Sequence, residues 1–309
     1  MSWNYYVSNT DNLNITNTTN ASSVTIPGKW LKPWAAVYLS FCFEGALGNL
    51  LIVCVILFNR KLRSGCGLLI ANCLIAYTIL CGFSFPIVGT SVYRKQAFNW
   101  QLDPKYCKGF QWIQMGCRFA AYWLDLYIAV NRVVALCFPH RYRAFSRTRT
   151  EMTVVAILWI TALMYSGLGW FDLGMHFAWI PIGTCAGLPY GYLGTFVYMT
   201  GFYIPGVVTA GMYVFIYGKI LSRKHQIDPE RSSTEDNKQK QTRQKRIITT
   251  NMMCVSFVCT SACSMILPVM ISFIKVTEND VHYPIVVIWL AVAQLLGYAT
   301  NPVKSNYSL

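Results

Sequence analysis

Three ionisable residues, Arg118, Asp125 and Arg132, stand seven positions apart inside an apolar stretch running from Gly109 to Leu136. Spacing by sevens places them on one face of a helix, two turns apart. The chemistry open to such a stripe is charge recognition. A cation can receive a carboxylate, a carboxylate can receive a donor, and a second cation stands at the far end. A fourth charge, Glu44, sits in another apolar stretch. Arg118 and Asp125 lie about 10 Å apart along one helix, so a direct bridge would stretch both side chains. Two readings of Arg118 stay open: an internal pair with Glu44 or Asp125, and contact with an acidic ligand. They coexist if a ligand displaces the pair. No nucleophile and base stand together, and no metal-ligand spacing occurs. Enzyme, metal and cofactor chemistry are therefore not expected.

The elements that must position these residues follow from composition. Of 309 residues, 54% are hydrophobic and 12% charged, against about 25% charged in a soluble domain. About 20 apolar residues at 1.5 Å rise span the ~30 Å core of a bilayer. Seven such spans are expected: Pro33–Phe58, Gly67–Ser91, Gly109–Leu136, Met152–Trp170, Tyr190–Leu221, Ile247–Ile274 and Tyr283–Thr300. The fold class is an all-α membrane bundle of seven helices, with the third as its axis. Charges in these spans must face a bundle interior or a cavity. With the N-terminus outside, the inner side holds 18 of the 26 Lys and Arg, the outer segments hold seven, and Arg118 lies within a span. The positive-inside rule supports that orientation. The net charge of +14 is thus a topology signal rather than a nucleic-acid footprint.

This gives an outer tail at 1–32, a seven-helix domain at 33–305 with a third inner loop at 222–246, and a short end at 306–309. The tail lacks a signal peptide's basic start and apolar core. It holds three glycosylation triplets within nine residues, at Asn14, Asn17 and Asn20. Ten of the twelve cysteines lie in or beside spans, where thiols act as small apolar groups. Only Cys107 and Cys185 fall on the outer, oxidising side, which leaves one disulfide to expect. The loop Ser222 to Arg246 reads as a solvated linker or a protein-docking surface. Pro86 is expected to kink the outer end of the second helix.

Ordered landmarks on all seven spans resemble the rhodopsin-like, class A, G-protein-coupled receptors. They are Gly48-Asn49, Trp100 with Cys107, Arg132 placed 25 residues beyond Cys107, Trp159, Pro205, Tyr213, Pro268 and Asn301-Pro302. The resemblance implies a switch in which an extracellular ligand binds among helices three, five, six and seven. It implies pocket contacts at Gln114, Arg118, Phe202, Ile266, Trp289 and Gln294. It also implies a coupling end for a heterotrimeric G protein at Asn131, Arg132, Tyr213, Asn301 and Pro302. Plasma-membrane placement follows from the same resemblance.

The departures carry expectations of their own. Asn131 stands where the family has an acid paired with the motif arginine, and Val133 where it has tyrosine, so a looser inactive lock is expected. Tyr77 and Ala121 replace the aspartate and serine of a sodium site, with Asp125 one turn further inward as a relocated carboxylate. Ile266 stands for the sixth-helix tryptophan and Ser305 for the tyrosine after Pro302. No amphipathic eighth helix follows Ser305, which a truncated or spliced C-terminus would explain. An amine receptor needs an acid where Gln114 stands, and a retinal protein needs a lysine where Leu295 stands. Gln114 resembles peptide receptors instead, and Arg118 one turn deeper offers a cation to a peptide C-terminus or a lipid acid. The favoured ligand is a peptide, then an anionic lipid or small acid. The rivals are a non-signalling, receptor-like decoy or partner subunit, and an ion or proton transporter using Glu44, Arg118 and Asp125.

Overall fold

A computed structural model of the chain describes residues 28–60, 62–63, 67–100, 103, 105–138, 140, 142, 147–180 and 183–225. Five helices long and apolar enough to cross a membrane occupy this region. They are α1 (Gly28–Phe58), α2 (Gly67–Phe98), α3 (Lys105–Cys137), α4 (Thr148–Leu168) and α5, which starts at Gly191. The helices overrun the apolar stretches at several ends: α1 starts five residues before Pro33, and α2 continues seven beyond Ser91. Backbone hydrogen bonds extend a helix past its apolar run, which is why hydropathy places such ends poorly. The expected sixth and seventh spans lie outside the described residues.

Helices α2 and α5 share a feature that residue pattern did not suggest. Each contains one π-helical turn, Leu80–Ser84 in α2 and Met199–Tyr203 in α5. Proline follows two residues later in both, at Pro86 and Pro205. A proline in a regular helix removes one hydrogen bond and clashes with the carbonyl four residues back. The widened turn relieves this: the N–H of Phe85 reaches the Leu80 carbonyl, and that of Ile204 reaches Met199, five residues back in each case. After this second turn α5 continues as Ile204–His225. At the end of α2, Asn99 adopts a left-handed backbone with φ of 51°. Its N–H returns to the Lys95 carbonyl, and its side chain accepts from Lys95 Nζ at 2.8 Å.

Packing confirms α3 as the axis of the described bundle, because it lines all three buried clusters. One joins α1, α2 and α3 around Tyr38, Leu69, Leu80 and Leu124. A second joins α3, α4 and α5 around Phe119, Ala162 and Phe202. A third joins α3 and α5 around Ala129, Tyr213 and Ile216. Helices in lipid gain little from apolar burial as such and rely on close van der Waals fit, which small residues permit. A Cβ on Gly201 would fall 2.3 Å from the Phe119 ring, and one on Gly89 would fall 2.6 Å from Tyr38. The outward faces carry Phe43, Leu51, Met164, Val207 and Val214, all exposed as a lipid-facing surface requires.

Between α4 and α5 the chain forms a hairpin of β1 (Met175–Ile180) and β2 (Thr184–Pro189), paired antiparallel with Trp179 opposite Cys185. Its first strand alternates as half-buried strands do, with Met175 and Phe177 buried and His176 exposed between them. Apolar runs alone mark only the flanking spans and give no strand here.

Candidate functional site

The hairpin caps one end of the bundle, and its attachments define that end. Cys107, in the first turn of α3, is bonded to Cys185 of β2, with Cα atoms 5.7 Å apart. The disulfide expected from the sequence is present. One turn along α3, Gln111 donates from Nε2 to the Cys185 carbonyl at 3.0 Å, and its residue is buried. Tyr198 of α5 donates its hydroxyl to the Gly187 carbonyl at 2.5 Å.

A second clasp centres on Asp172, whose φ of 54° turns the chain between α4 and β1. Its carboxylate accepts Lys108 Nζ at 2.7 Å and faces His176 Nδ1 at 2.8 Å. Its backbone carbonyl accepts the Tyr190 hydroxyl. The hydrogen bond from Lys108 holds the Asp172 carboxyl below its ordinary range, with partial burial opposing the shift and His176 adding to it. The pair is about 40% exposed on each side, so solvent screens much of its strength.

Below the hairpin, Gln114 is buried on α3. Arg118 follows one turn deeper, half-buried, with its guanidinium 5.6 Å from the centre of the Phe202 ring. Phe202 belongs to an aromatic wall: Phe119 lies 4.5 Å away, Tyr198 5.3 Å and Tyr122 5.4 Å, centre to centre. Its place there depends on the π turn, which contains it. Arg118 also lies within electrostatic reach of Tyr38 on α1 and Tyr198 on α5. Arg118 and Phe202 are therefore neighbours, with Gln114 one turn above Arg118 on the same helix. The remaining pocket candidates, Ile266, Trp289 and Gln294, lie outside the described residues.

The two carboxylates offered as internal partners for Arg118 stand in different surroundings. Glu44 is exposed on α1. Asp125 is engaged across the helix interface by α2: Tyr77 donates to Oδ2 at 2.5 Å, and the Cys73 thiol donates to Oδ1 at 3.5 Å. Both oxygens of Asp125 thus accept from α2, whose Tyr77 faces it across the interface. The sequence marked Tyr77 as a replacement but not as a donor. Cys73 stood one turn before Tyr77, on the same face, and that i, i+4 spacing was the available signal.

At the opposite end of α3, Asn131 is fully buried and Arg132 half-buried. Tyr213 of α5 is buried beside Ala129, Val133 and Leu136, the α3 residues that flank Arg132. Asn301 and Pro302, and the tail positions Asn14, Asn17 and Asn20, lie outside the described residues. Among the described residues no group of three or more His, Cys, Asp or Glu is placed to hold a metal ion.

Comparison with known proteins bears on this arrangement. A family model described as the 7 transmembrane receptor (rhodopsin family) matches residues 48–303. The substance-P receptor of Rattus norvegicus is 25% identical over 149 residues, 48% of this chain and 35% of that protein. The motilin receptor of Homo sapiens is 27% identical over 147 residues, 47% of this chain and 35% of that one. The G-protein coupled receptor 183-A of Danio rerio is 27% identical over 129 residues, 42% and 34% respectively. The chain thus spans about a third of the length of the curated relatives it matches. It belongs to the rhodopsin family of seven-transmembrane receptors, a multi-pass membrane family of receptors rather than enzymes.

Proposed function

We propose that this rhodopsin-family chain is a plasma-membrane receptor with its N-terminal tail outside. It transduces an extracellular ligand, a peptide before an anionic lipid or small acid, to a heterotrimeric G protein. The observation that carries the reading is the layout of α3. One helix holds Gln114 and Arg118 beneath a disulfide-pinned hairpin, and at its other end Arg132 between residues that pack on Tyr213. The relatives named above include peptide receptors, which favours a peptide. A ligand carboxylate would take charge-assisted hydrogen bonds from Arg118, with Gln114 above it and Phe202 as an apolar wall. A ligand of higher affinity for an open arrangement shifts the population toward it. Arg132 and Tyr213 then rearrange, and the G protein docks on the basic loops. The domain limits 33–305 and the third inner loop at 222–246 belong to this reading.

A decoy or partner subunit that does not signal is the rival, favoured by Asn131, Tyr77, Ile266 and Ser305 at landmark positions. Screening the surface-expressed chain with peptides bearing free or amidated C-termini, and with fatty acids, separates the two. The expected hit loses about 10- to 150-fold in potency with Arg118→Gln, the range for a hydrogen bond to a charged group. A hit indifferent to Arg118→Gln removes the cation from the site, and binding without any G-protein response supports the rival.

A further inference from the structure

The receptor reading uses the two ends of α3 but not the carboxyl group at its midpoint. Asp125 lies seven residues from Arg118 and seven from Arg132, on the same helix face. The Tyr77 ring is buried at 4% exposure and Cys73 at 3%, one turn apart on α2. Both aim donors at Asp125, one at each oxygen, across 48 and 52 residues of sequence. A hydrogen bond in a low-dielectric interior is strong, and leaving a buried partner unmatched costs more than the bond contributes. A helix that carries Arg118 and Arg132 cannot rotate or slide as one piece without dragging Asp125 past Tyr77.

We propose that the Tyr77–Asp125–Cys73 cluster is a latch that holds α3 in its resting register against α2, and that its release lets the Arg118 and Arg132 ends move together. Tyr77 and Cys73 are positioning residues, since they act through Asp125. The latch rests on the receptor reading for its consequence in signalling, but not for its existence as an interhelix tie. It gives the chain an internal restraint on the same helix as Asn131.

The test uses the full chain at matched surface levels. Tyr77→Phe removes one hydroxyl, and Asp125→Asn keeps the shape of the acceptor. Each is expected to raise basal G-protein activation about two- to tenfold, the range set by one hydrogen bond. The double variant is expected to rise no further than the larger single, because both changes break the same bond. Cys73 supplies a sign control: Cys73→Ala raises basal activity, whereas Cys73→Ser, a better donor, lowers it. General destabilisation would not reverse sign in this way. A second readout needs no G protein: the distance between labels introduced at Phe138 and Lys219, both exposed near the Arg132 end, is expected to change in Tyr77→Phe. If no variant signals but that distance changes, the latch stands and the coupling reading fails. If Arg132-dependent signalling is present, and basal activity and distance are both unmoved by Tyr77→Phe and Asp125→Asn, the latch is overturned. Multiplying effects in the double variant overturn it as well.

Discussion

Gly201 shows how much a single hydrogen atom decides here. Its missing Cβ leaves room for the Phe119 ring, which would otherwise sit at 2.3 Å. Overpacking of this kind costs about 1–3 kcal/mol, so Gly201→Ala is expected to lower the melting temperature of the purified protein. Trimming the ring with Phe119→Leu in the same chain should recover part of the loss, and a stable Gly201→Ala alone would contradict the contact. Asp172 gives a pH signature. Its carboxyl is held below the ordinary value of 3.8 when folded. The stabilisation it supplies is therefore present above that value and lost as pH falls through the lower, folded one. Thermal unfolding followed from pH 5 to pH 3 should show an acid limb that is smaller in Asp172→Asn, and modest because the pair is partly exposed. An identical limb in the variant would remove Asp172 from the clasp. At this scale the sequence was informative where residue type alone was unusual. Charges in an apolar run are rare enough to stand out, so Arg118, Asp125 and Arg132 were legible. The partners of Asp125 were not, because Tyr77 and Cys73 reach it only through the packing of α2 on α3.

Among elements, the hairpin and the two π turns are what the pattern of apolar runs could not supply. The π turns answer to Pro86 and Pro205, and the prolines were visible. Whether a helix kinks or widens at a proline depends on its neighbours, and here Phe119 packs against the widened turn of α5. The strands were signalled by alternation at Met175 to Phe177, but a six-residue run inside a loop reads equally as coil. The disulfide was legible because topology left two cysteines on one side. Its loop spans 78 residues, for which chain entropy predicts about 4.5 kcal/mol of stabilisation. Replacing Cys107 and Cys185 together by serine should therefore reduce surface expression and melting temperature strongly. Retention of both would mean that the Gln111, Tyr198 and Asp172 contacts suffice to hold the hairpin.

Across the described residues, one helix joins the two ends and the midpoint at which the sequence placed its charges. The third helix touches all three buried clusters of the described region, carries the disulfide at one end and Arg132 at the other, and is tied at its midpoint by Asp125. Membership of the rhodopsin family supplies the seven-helix frame, which composition and charge distribution had already outlined. Ligand class lies beyond what residue types specify, because Arg118 recognises a negative charge whatever molecule bears it. In the proposed receptor, α3 transmits a change of state to a G protein through Arg132, with Asn131 beside it in place of an acid. The direct measurement is basal G-protein activation in cells expressing the chain, beside Arg132→Ala at equal surface level. A basal signal that disappears in the variant is the predicted result; a signal that persists in Arg132→Ala would contradict it.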